Sequence, residues 1–433
     1  MNKKVSLGVT VTLILVSVAL TLSVTVVIAM RNFNSTFAKA NDLVTMHDHL
    51  AELDRVARQN YYLDVNGQVL RDSLANGYVT GMGDSYAAYL TAAQYKTETD
   101  RLAGSLMGIG LQVALRTTGE VEIVSVQKSS PAAATGLQKG DVIISFDGAD
   151  VVSSRFEEIR SALHNNPVIK MSVSRNGATH VVEISAGTYG VTSVEGRILY
   201  GGVGVIKIKY FYNNTPEQFK SVFNSLEQQG AQSYVIDVRN NAGGTVESVT
   251  GLCGMLLAKG VYAESVDRNN IATTYSAEGT LELTKPTVIL VNGSTAGEAE
   301  LFAAVLKQYN NKVNIVGTTT AGKGMMQQLI PLNTDGSAIK MSVAKYYLQD
   351  KSTFDGVGIT PDIMSALTPV QENQFAFLTD DTDPQLASAL TVLNASPVTT
   401  EITTAPDDGE ATTVPEVETT DATDTAGDET AAE

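Results

Sequence analysis

Val288-Ile-Leu-Val-Asn-Gly-Ser-Thr-Ala-Gly-Glu-Ala-Glu-Leu-Phe302 is the stretch of the chain that decides its fold. Its first four residues are apolar and mostly β-branched, which predicts a buried strand, and the Asn292–Gly297 segment that follows is typical of a turn. From Glu298 the apolar residues recur at helical spacing, and two carboxylates fall in the first turn, where the positive end of a helix dipole favours them. The sequence therefore predicts a strand that turns sharply onto the N terminus of a helix.

A lysine on a glycine-flanked loop follows the next predicted strand. That strand is Val313–Gly317, and Thr320-Ala-Gly-Lys-Gly324 comes shortly after it, followed by Gln327. A strand, a sharp turn onto a helix and such a lysine form the framework of a serine–lysine hydrolase, in which main-chain amides at the turn hold an oxyanion. The pattern predicts a site of hydrolytic chemistry where these strands end.

Three motifs resemble those of one known family, the C-terminal processing (tail-specific) peptidases, within a range from about Tyr61 to about Leu367. Asp237-Val-Arg-Asn-Asn-Ala-Gly-Gly244 is similar to the family's Arg-Asn-Asn-Pro-Gly-Gly loop, with alanine in the proline position. Thr320–Gln327 resembles Thr-Phe-Gly-Lys-Gly-x-x-Gln with alanine for phenylalanine, and Gly356–Asp362 matches the closing motif. The resemblance implies a mixed α/β layered peptidase core, crotonase-like or ClpP-like, with serine-type (Ser/Lys) endopeptidase activity and no cofactor.

The nucleophile turn departs from the family's pattern. The family has Ser-Ala-Ser-Ala-(Ser/Ala)-Glu with the middle serine as nucleophile, and aligning its glutamate with Glu300 places Gly297 at that serine. The Gly297-to-Lys323 spacing is one residue longer than in the family, and the extra residue fits best in the Tyr309–Lys312 turn. If it lay in the nucleophile turn instead, Glu298 would take the critical position. Neither residue is the expected nucleophile, so we expect little or no peptidase activity.

Five residues are the predicted catalytic and oxyanion groups. Ser294 is the substitute nucleophile that the turn offers, but a misplacement of about 1 Å can already cost on the order of a hundredfold in rate. Lys323 would act as general base, which needs a neutral amine that burial favours, and Gln327 would orient its nitrogen without adding a charge. Gly243 and Gly244, at the end of their predicted strand, would supply oxyanion amides, or would only form a tight turn.

No metal site is expected. The four histidines, His47, His49, His164 and His180, all precede the predicted core domain, so a histidine-based triad or a zinc site there has no ligands. The single cysteine, Cys253, lies in an apolar helical pattern that predicts core packing.

Residues from Leu106 to about Ala186 resemble a PDZ domain. Met107-Gly-Ile-Gly-Leu111 resembles the loop whose amides receive a peptide's terminal carboxylate, and Ser130–Leu137 followed by Gly140–Ile144 is a pattern specific to this fold. An anion site beside an open strand edge would bind free C termini ending in an apolar residue, with Ile109 or Leu111 lining the pocket for that residue. Alternatively these glycines only make turns. The predicted peptide-binding residues are Gly108, Ile109, Gly110 and Leu111.

The N-terminal segment predicts a membrane anchor. Val5–Met30 carries no charge and is long enough to cross a bilayer, and Lys3 and Lys4 before it place the N terminus in the cytoplasm and the rest outside. A cleaved signal peptide is the alternative. Helical spacing over Asn34–Tyr62 gives an apolar stripe that would pair in a homodimer or pack on its own domain, and Val69–Val79 predicts a further helix. The stripe contains Phe37, Leu43, Val44, Leu50, Leu53 and Val56.

Charge is concentrated at the C terminus. The 433 residues carry a net charge of −17, but from Ser396 onward there are 11 carboxylates and no Lys or Arg. The rest of the chain is only mildly acidic, and nothing indicates nucleic-acid binding. The tail's composition cannot bury enough apolar surface to offset chain entropy, which predicts disorder.

An α+β multidomain protein is therefore expected, acting on protein or peptide C termini outside the cell membrane. It would be either a serine-type endopeptidase or a non-catalytic relative that binds C-terminal peptides as a scaffold or regulator. Its predicted parts are residues 1–4 in the cytoplasm, a transmembrane anchor at 5–30, a helical segment at 31–100, a PDZ domain at 101–187, the peptidase core at 188–378, and a C-terminal helix with the disordered acidic tail at 379–433.

Overall fold

A computed structural model describes residues 7–393 of the chain, apart from the side chains of residues 7, 9 and 34–43. The chain forms two units: one takes the chain up to Thr99 together with Met326–Ala344, and the other takes Asp100–Met325 together with the chain from Lys345 onward. The predicted cytoplasmic residues 1–4 and the predicted disordered tail from Ser396 lie outside the described residues.

One long helix begins the first unit. α1 (Leu7–Asn60) runs without a break from the predicted anchor into the predicted helical segment, and its 54 residues span about 80 Å at the usual helical rise. Among the described residues it holds the one stretch long and apolar enough to cross a membrane, Thr10–Phe33, whose mean hydropathy is 2.7 and none of which is buried. A membrane span and a signal sequence both have these properties. The elements that follow are α2 (Gly67–Gly81), β1 (Ala88–Leu90) and α3 (Ala92–Leu102).

The apolar stripe predicted on α1 is exposed where the structure describes its side chains. Val44, Leu53 and Val56 are all exposed. These three side chains therefore do not pack on the rest of the chain, which was one of the two predicted alternatives. The homodimer stays a prediction.

The predicted PDZ domain is an antiparallel sheet with one main helix. Its strands pair in the order β3-β4-β5-β7-β8, with β6 on β5 and with β2 paired to β9. Ile123, Phe146 and Ile159 are among its buried core residues. Its elements are β2 (Ser105–Gly108), β3 (Leu111–Leu115), β4 (Val121–Val126), α4 (Pro131–Ala134), β5 (Val142–Phe146), β6 (Ala149–Asp150), a 3-10 turn (Ser153–Arg155), α5 (Phe156–Asn165), β7 (Val168–Arg175), β8 (Ala178–Ser185) and β9 (Gly187–Gly190).

The predicted core domain alternates strands and helices around a six-stranded sheet of order β10-β11-β12-β15-β16-β19. Only the β10–β11 pair is antiparallel, and the other neighbours are parallel. A mixed α/β core is confirmed, whereas its crotonase-like or ClpP-like form stays a prediction. The elements are β10 (Val194–Leu199), β11 (Val203–Ile208), α6 (Thr215–Gln228), β12 (Ser233–Asp237), α7 (Val246–Leu256), β13 (Gly260–Asp267), β14 (Ala272–Ala277), β15 (Thr287–Val291), α8 (Glu298–Tyr309), β16 (Val313–Gly317), β17 (Met325–Pro331), β18 (Ala338–Leu348), β19 (Ile363–Met364), α9 (Pro369–Asn373), a 3-10 turn (Phe375–Phe377) and α10 (Pro384–Val392).

Most of β17 and most of β18 belong to the first unit, which contains Met326–Ala344. β18 pairs antiparallel with β1 there, with Tyr89 opposite Ile339.

The parallel register brings the two predicted site loops together. Asp237 at the end of β12 lies opposite Leu290 of β15, so both strands end at one edge of the sheet. The loops that leave them are joined by a reciprocal pair of bonds. The Asn240 amide donates to Asn292 Oδ1 at 2.9 Å, and Asn292 Nδ2 donates to Asn240 Oδ1 at 2.8 Å.

Helix α10 covers one face of this sheet. Leu386 and Leu390 form a buried cluster with sheet residues that include Val235 and Leu290. Five of the six residues of β11 in this sheet are buried. The C-terminal helix, predicted to follow the core domain, is part of that domain.

Arg239 ties α10 to the end of β12. Its guanidinium is 5% exposed; it donates to Asp237 at 2.8 Å, to Asp383 at 2.7 Å and to Gln385 at 2.9 Å. Asp383 also caps α10 by accepting from the amides of Gln385 and Leu386. Burial alone would raise the pKa of Asp237, but the charge and hydrogen bonds of Arg239 outweigh it and hold that pKa below its ordinary value.

We expect Arg239→Met to lower the free energy of unfolding by about 3–5 kcal/mol at pH 7, because it removes the buried guanidinium that pairs with two buried carboxylates. The folded-state pKa of Asp237 is depressed, so its stabilising contribution is present above the ordinary carboxyl pKa of about 4 and is lost as the pH falls below that value. The difference between variant and natural chain should therefore shrink in acid. Urea unfolding followed by circular dichroism at several pH values measures it.

Arg197→Met is the matched control. Arg197 pairs with Asp380, and both side chains are partly exposed. Its replacement should cost less than about 1 kcal/mol. Equal losses in the two variants would contradict a special role for the buried network.

Candidate functional site

The turn between β15 and α8 has the shape of a nucleophile elbow. Gly297 is the residue that caps α8, and its φ of 62° and ψ of −123° lie in a region that glycine adopts freely. A serine would be held there at a cost of about 1–3 kcal/mol, as in the strained turn that exposes a nucleophile at the end of a strand. Glu298 is already helical. The geometry thus favours position 297 over 298 as the nucleophile position.

Lys323 lies beside this glycine. A Cβ atom on Gly297 would be 3.8 Å from Lys323 Cδ and 3.9 Å from the Ala242 carbonyl oxygen, both ordinary contact distances. The lysine is half-buried. Three of the predicted groups, the elbow, the lysine loop and the 240–244 loop, therefore meet at one place, with room for a side chain that Gly297 does not have.

The hydroxyl groups upstream in the turn have other surroundings. Ser294, the predicted substitute nucleophile, is exposed, and its amide donates to Asn292 Oδ1 at 3.2 Å. Thr295 is fully buried, and its hydroxyl donates to the Val238 carbonyl at 2.9 Å. The threonine hydroxyl thus joins two loops, and its proton is already used in this hydrogen bond.

Both predicted oxyanion amides are already hydrogen-bonded within the protein. The Gly243 amide donates to Asn241 Oδ1 at 2.9 Å, and the Gly244 amide donates to Glu298 Oε2 at 3.1 Å. A Cβ on Gly244 would lie 2.0 Å from the Phe211 carbonyl oxygen, so no other residue fits there. This glycine is thus required by packing alone.

Glu298 is a buried carboxylate in the middle of the site. It is 6% exposed, and besides Gly244 it accepts from the Tyr346 hydroxyl at 3.2 Å. Burial raises the pKa of Glu298, against the opposing effect of its hydrogen bonds and of the Lys323 charge.

Glu300 holds the elbow and the lysine loop together. Its side chain is fully buried and accepts from the amides of Gly297 at 2.9 Å, Gly322 at 2.7 Å and Lys323 at 2.8 Å. The Thr320 hydroxyl donates to it as well. One carboxylate therefore satisfies three main-chain donors from two separate segments.

The Gly356–Asp362 motif shapes the lysine loop from the other side. The Gly356 amide donates to the Gly322 carbonyl at 2.8 Å, and the Ile359 amide donates to the Thr320 hydroxyl at 2.7 Å. A Cβ on Gly322 would lie 3.0 Å from the Gly358 nitrogen. The two motifs form one packed loop pair, which explains why both are rich in glycine.

Gln327 lies on β17 within the first unit, half-buried. In the described chain no group of His, Cys, Asp and Glu has the arrangement of a metal site. Cys253 is fully buried on α7, and burial raises the pKa of its thiol, as expected for core packing.

The predicted carboxylate loop of the PDZ domain lies between β2 and β3. Ile109 and Leu111, which are predicted to line an apolar pocket, are 2% and 8% exposed and belong to the domain's core cluster. Gly110 between them is buried as well. Gly110 has a φ of 77°, and a Cβ there would lie 2.1 Å from Ser130 Cβ.

The sequence predicts that Glu298 and Glu300 both stabilise the N terminus of a helix. The spacing from Gly297 to Glu300 is that of a capping box, which was a usable signal for the bond from Glu300 to the Gly297 amide. The contact between Glu298 and Gly244 spans 54 residues. No local spacing could have indicated it.

Glu300→Gln should destabilise the site strongly. Glutamine offers one acceptor oxygen and turns an NH₂ group towards donors, and each buried donor left unpaired costs about 1–3 kcal/mol. We expect a loss of about 3 kcal/mol and faster amide hydrogen exchange over residues 320–324. The exposed Glu247→Gln, in the first turn of α7, is the control and should stay within about 0.5 kcal/mol. Unchanged exchange in the lysine loop would contradict the role given to Glu300.

Comparison with known proteins assigns the two domains. Residues 202–365 match peptidase family S41, and residues 105–185 match a PDZ domain. The carboxy-terminal processing protease CtpA of Bacillus subtilis is 31% identical over 324 residues, which cover 74% of this chain and 69% of that protein. A carboxyl-terminal-processing protease of a Picosynechococcus species is 29% identical over 332 residues, 75% of this chain and 79% of the relative.

A solved structure shares the fold. A crystal structure of a Bacteroides fragilis protein assigned to the S41 proteases superposes with a TM-score of 0.55 at 18% identity, over 79% of this chain and 96% of that one. The relatives are named as proteases, so the comparisons give no support to the expectation that peptidase activity is lost. The chain belongs to peptidase family S41, the family of the carboxy-terminal processing proteases, and carries a PDZ domain ahead of its peptidase core.

Proposed function

We propose that this protein recognises free C termini of polypeptides through its PDZ domain and presents them to its S41 core outside a cell membrane. The observation that carries the proposal is the short loop between β2 and β3, which combines unpaired amides with an adjoining edge strand. In the described part of the chain the amides of Ile109 and Gly110 donate to no other group. Successive free amides of this kind bind anions such as a terminal carboxylate.

The strand after this loop supports an added peptide strand. β3 stands at the edge of its sheet, with β4 on its other side, and α5 packs near it. An extended peptide that places its carboxylate at Gly110 would run along β3 and pair with its main chain. Val113 of β3 and Phe156 of α5 are apolar and only partly buried, which favours an apolar last residue in place of the pocket first expected from Ile109 and Leu111.

In the first form of this function the bound polypeptide is cleaved by the serine-type reaction of the family. Lys323 would take the nucleophile's proton, and an amide at the 243–244 turn would hold the oxyanion. The names of the relatives support this form. Because position 297 is glycine, the attacking hydroxyl would have to come from elsewhere in the turn, and Ser294 is the residue proposed for it.

In the second form the chain captures C termini without cleaving them, as a scaffold or regulator. One observation favours it: Gly297 occupies the elbow beside Lys323 and has no side chain. The comparisons lend this form no support.

The proposed location follows from α1. Thr10–Phe33 would span the membrane once, with the rest of the chain outside, since Lys3 and Lys4 precede it. A homodimer formed through the exposed stripe of α1 is a further proposal, which rests only on the exposure of Val44, Leu53 and Val56.

A peptide with a free carboxylate and an apolar last residue should bind the purified protein at least tenfold more tightly than its amidated form, because the amide has no charge for the Ile109 and Gly110 donors. Calorimetric titration of both peptides measures the ratio. Equal affinities would refute recognition of C termini.

The same peptide separates the two forms of the function. Mass spectrometry after long incubation should find it intact if the chain only captures C termini. Cleavage that disappears in both Ser294→Ala and Lys323→Ala would establish the peptidase form instead.

Protease added outside intact cells should remove the bulk of the chain and leave the α1 segment in the membrane fraction. Lys3 and Lys4 set this orientation through the excess of positive charge on the cytoplasmic side. A soluble mature form beginning near Arg31 would show that the segment is a cleaved signal peptide.

A further inference from the structure

We propose that Glu298 is a built-in occupant of the oxyanion site: its carboxylate takes the Gly244 amide and closes that position to a substrate carbonyl. The inference rests on the proposed function, because it takes the 243–244 turn of the S41 core as the oxyanion site. It identifies a residue that controls access to the site, separately from the missing nucleophile.

The contacts of Glu298 place its carboxylate on the 243–244 turn. Oε2 lies 3.1 Å from the Gly244 nitrogen, and a Cβ on Gly243 would be only 2.5 Å from the same oxygen. Oε1 accepts from the Tyr346 hydroxyl. Both carboxylate oxygens of Glu298 are therefore hydrogen-bonded. Oε2 lies against both glycines of the 243–244 turn.

A carboxylate oxygen is a close chemical substitute for an oxyanion. It carries negative charge and accepts a hydrogen bond in the direction that the oxygen of a tetrahedral intermediate would use. An amide that donates to this carboxylate is not available to a substrate without displacing it. Removing one oxyanion donor from a hydrolase typically costs on the order of 10²–10³ in rate.

Helix capping alone does not explain where this side chain lies. A carboxylate in the first turn of α8 would interact with the helix dipole equally well while pointing into solvent. Here it is 6% exposed and is held by partners from the 244 turn and from β18. Burying a carboxylate is unfavourable unless specific donors compensate, so the Gly244 amide is part of what keeps it in place.

Restoring a serine should therefore not restore the site. Gly297→Ser would place a hydroxyl beside Lys323, but the Gly244 amide would still donate to Glu298. Only the pair Gly297→Ser with Glu298→Ala would provide both a nucleophile and an open amide.

A fluorophosphonate probe tests this on the full-length protein. The introduced hydroxyl forms a bond to phosphorus, the phosphorus–fluorine bond breaks, fluoride leaves and Lys323 takes the hydroxyl proton; the phosphonyl oxygen needs the oxyanion amide. Mass spectrometry should show labelling in the Gly297→Ser, Glu298→Ala pair on the order of a hundredfold faster than in Gly297→Ser alone. The exposed Glu247→Ala combined with Gly297→Ser is the matched control and should label as slowly as Gly297→Ser alone. Equal rates with and without Glu298→Ala would overturn the proposal.

Hydrogen exchange gives a readout that needs no activity. Glu298→Ala in the otherwise natural chain should speed exchange of the Gly244 amide by at least about tenfold, because its acceptor is gone. Glu298→Gln retains an acceptor oxygen and should keep most of the protection. If the fluorophosphonate labels no variant, hydrogen exchange alone tests the proposal. Unchanged exchange at Gly244 in Glu298→Ala would overturn it.

Peptide titration on the same variants separates this inference from the proposed function. Loss of the preference for free carboxylates in every variant would count against C-terminal recognition and leave the Glu298 contact standing. Intact peptide binding with unchanged Gly244 exchange would count against the Glu298 inference alone.

Discussion

The carboxylate of Glu300 is the constraint on which the site depends. The first turn of a helix leaves main-chain N–H groups without partners, and a loop such as 320–324 leaves more. Glu300 satisfies donors from both segments with one side chain, so the elbow and the lysine loop are fixed relative to each other. Its burial is tolerated because every bond it makes is charge-assisted, and such bonds are about twice as strong as neutral ones.

Much of this arrangement was predictable from local patterns. The run from Val288 to Phe302 indicated a strand, a turn and a helix, and the glycine-rich motifs indicated which loops meet. The position of α10 was not predictable, because Leu386 and Leu390 show that one face of the helix is apolar but not which surface receives it. The contacts of Arg239 with Asp383 and Gln385 join residues about 145 positions apart. The role of Glu298 was hidden for the same reason, since helical spacing gives a residue's position on the helix and not the direction of its side chain.

The retained motifs and the missing serine are compatible on physical grounds. Gly244 is required because Phe211 approaches it, Gly322 because the 356–362 motif packs on it, and Glu300 because three amides depend on it. Each of these residues would be needed to keep the fold even if no bond were ever broken at the site. A family motif in this region is therefore strong support for the architecture and weaker support for turnover. Position 297 has room for a side chain, and the bond from its amide to Glu300 does not need one, so chemistry can be lost there without loss of the fold.

The unbroken helix α1 has a mechanical consequence if its apolar end is embedded in a bilayer. From Phe33 to Asn60 the helix continues for a length that the usual rise sets at about 40 Å. α1 has no break in this range, so α2 would begin at about that distance from the embedded end of the helix. The anchor would then hold the start of α2 away from the lipid headgroups, so the length of this helix would set how far from the membrane the rest of the first unit begins.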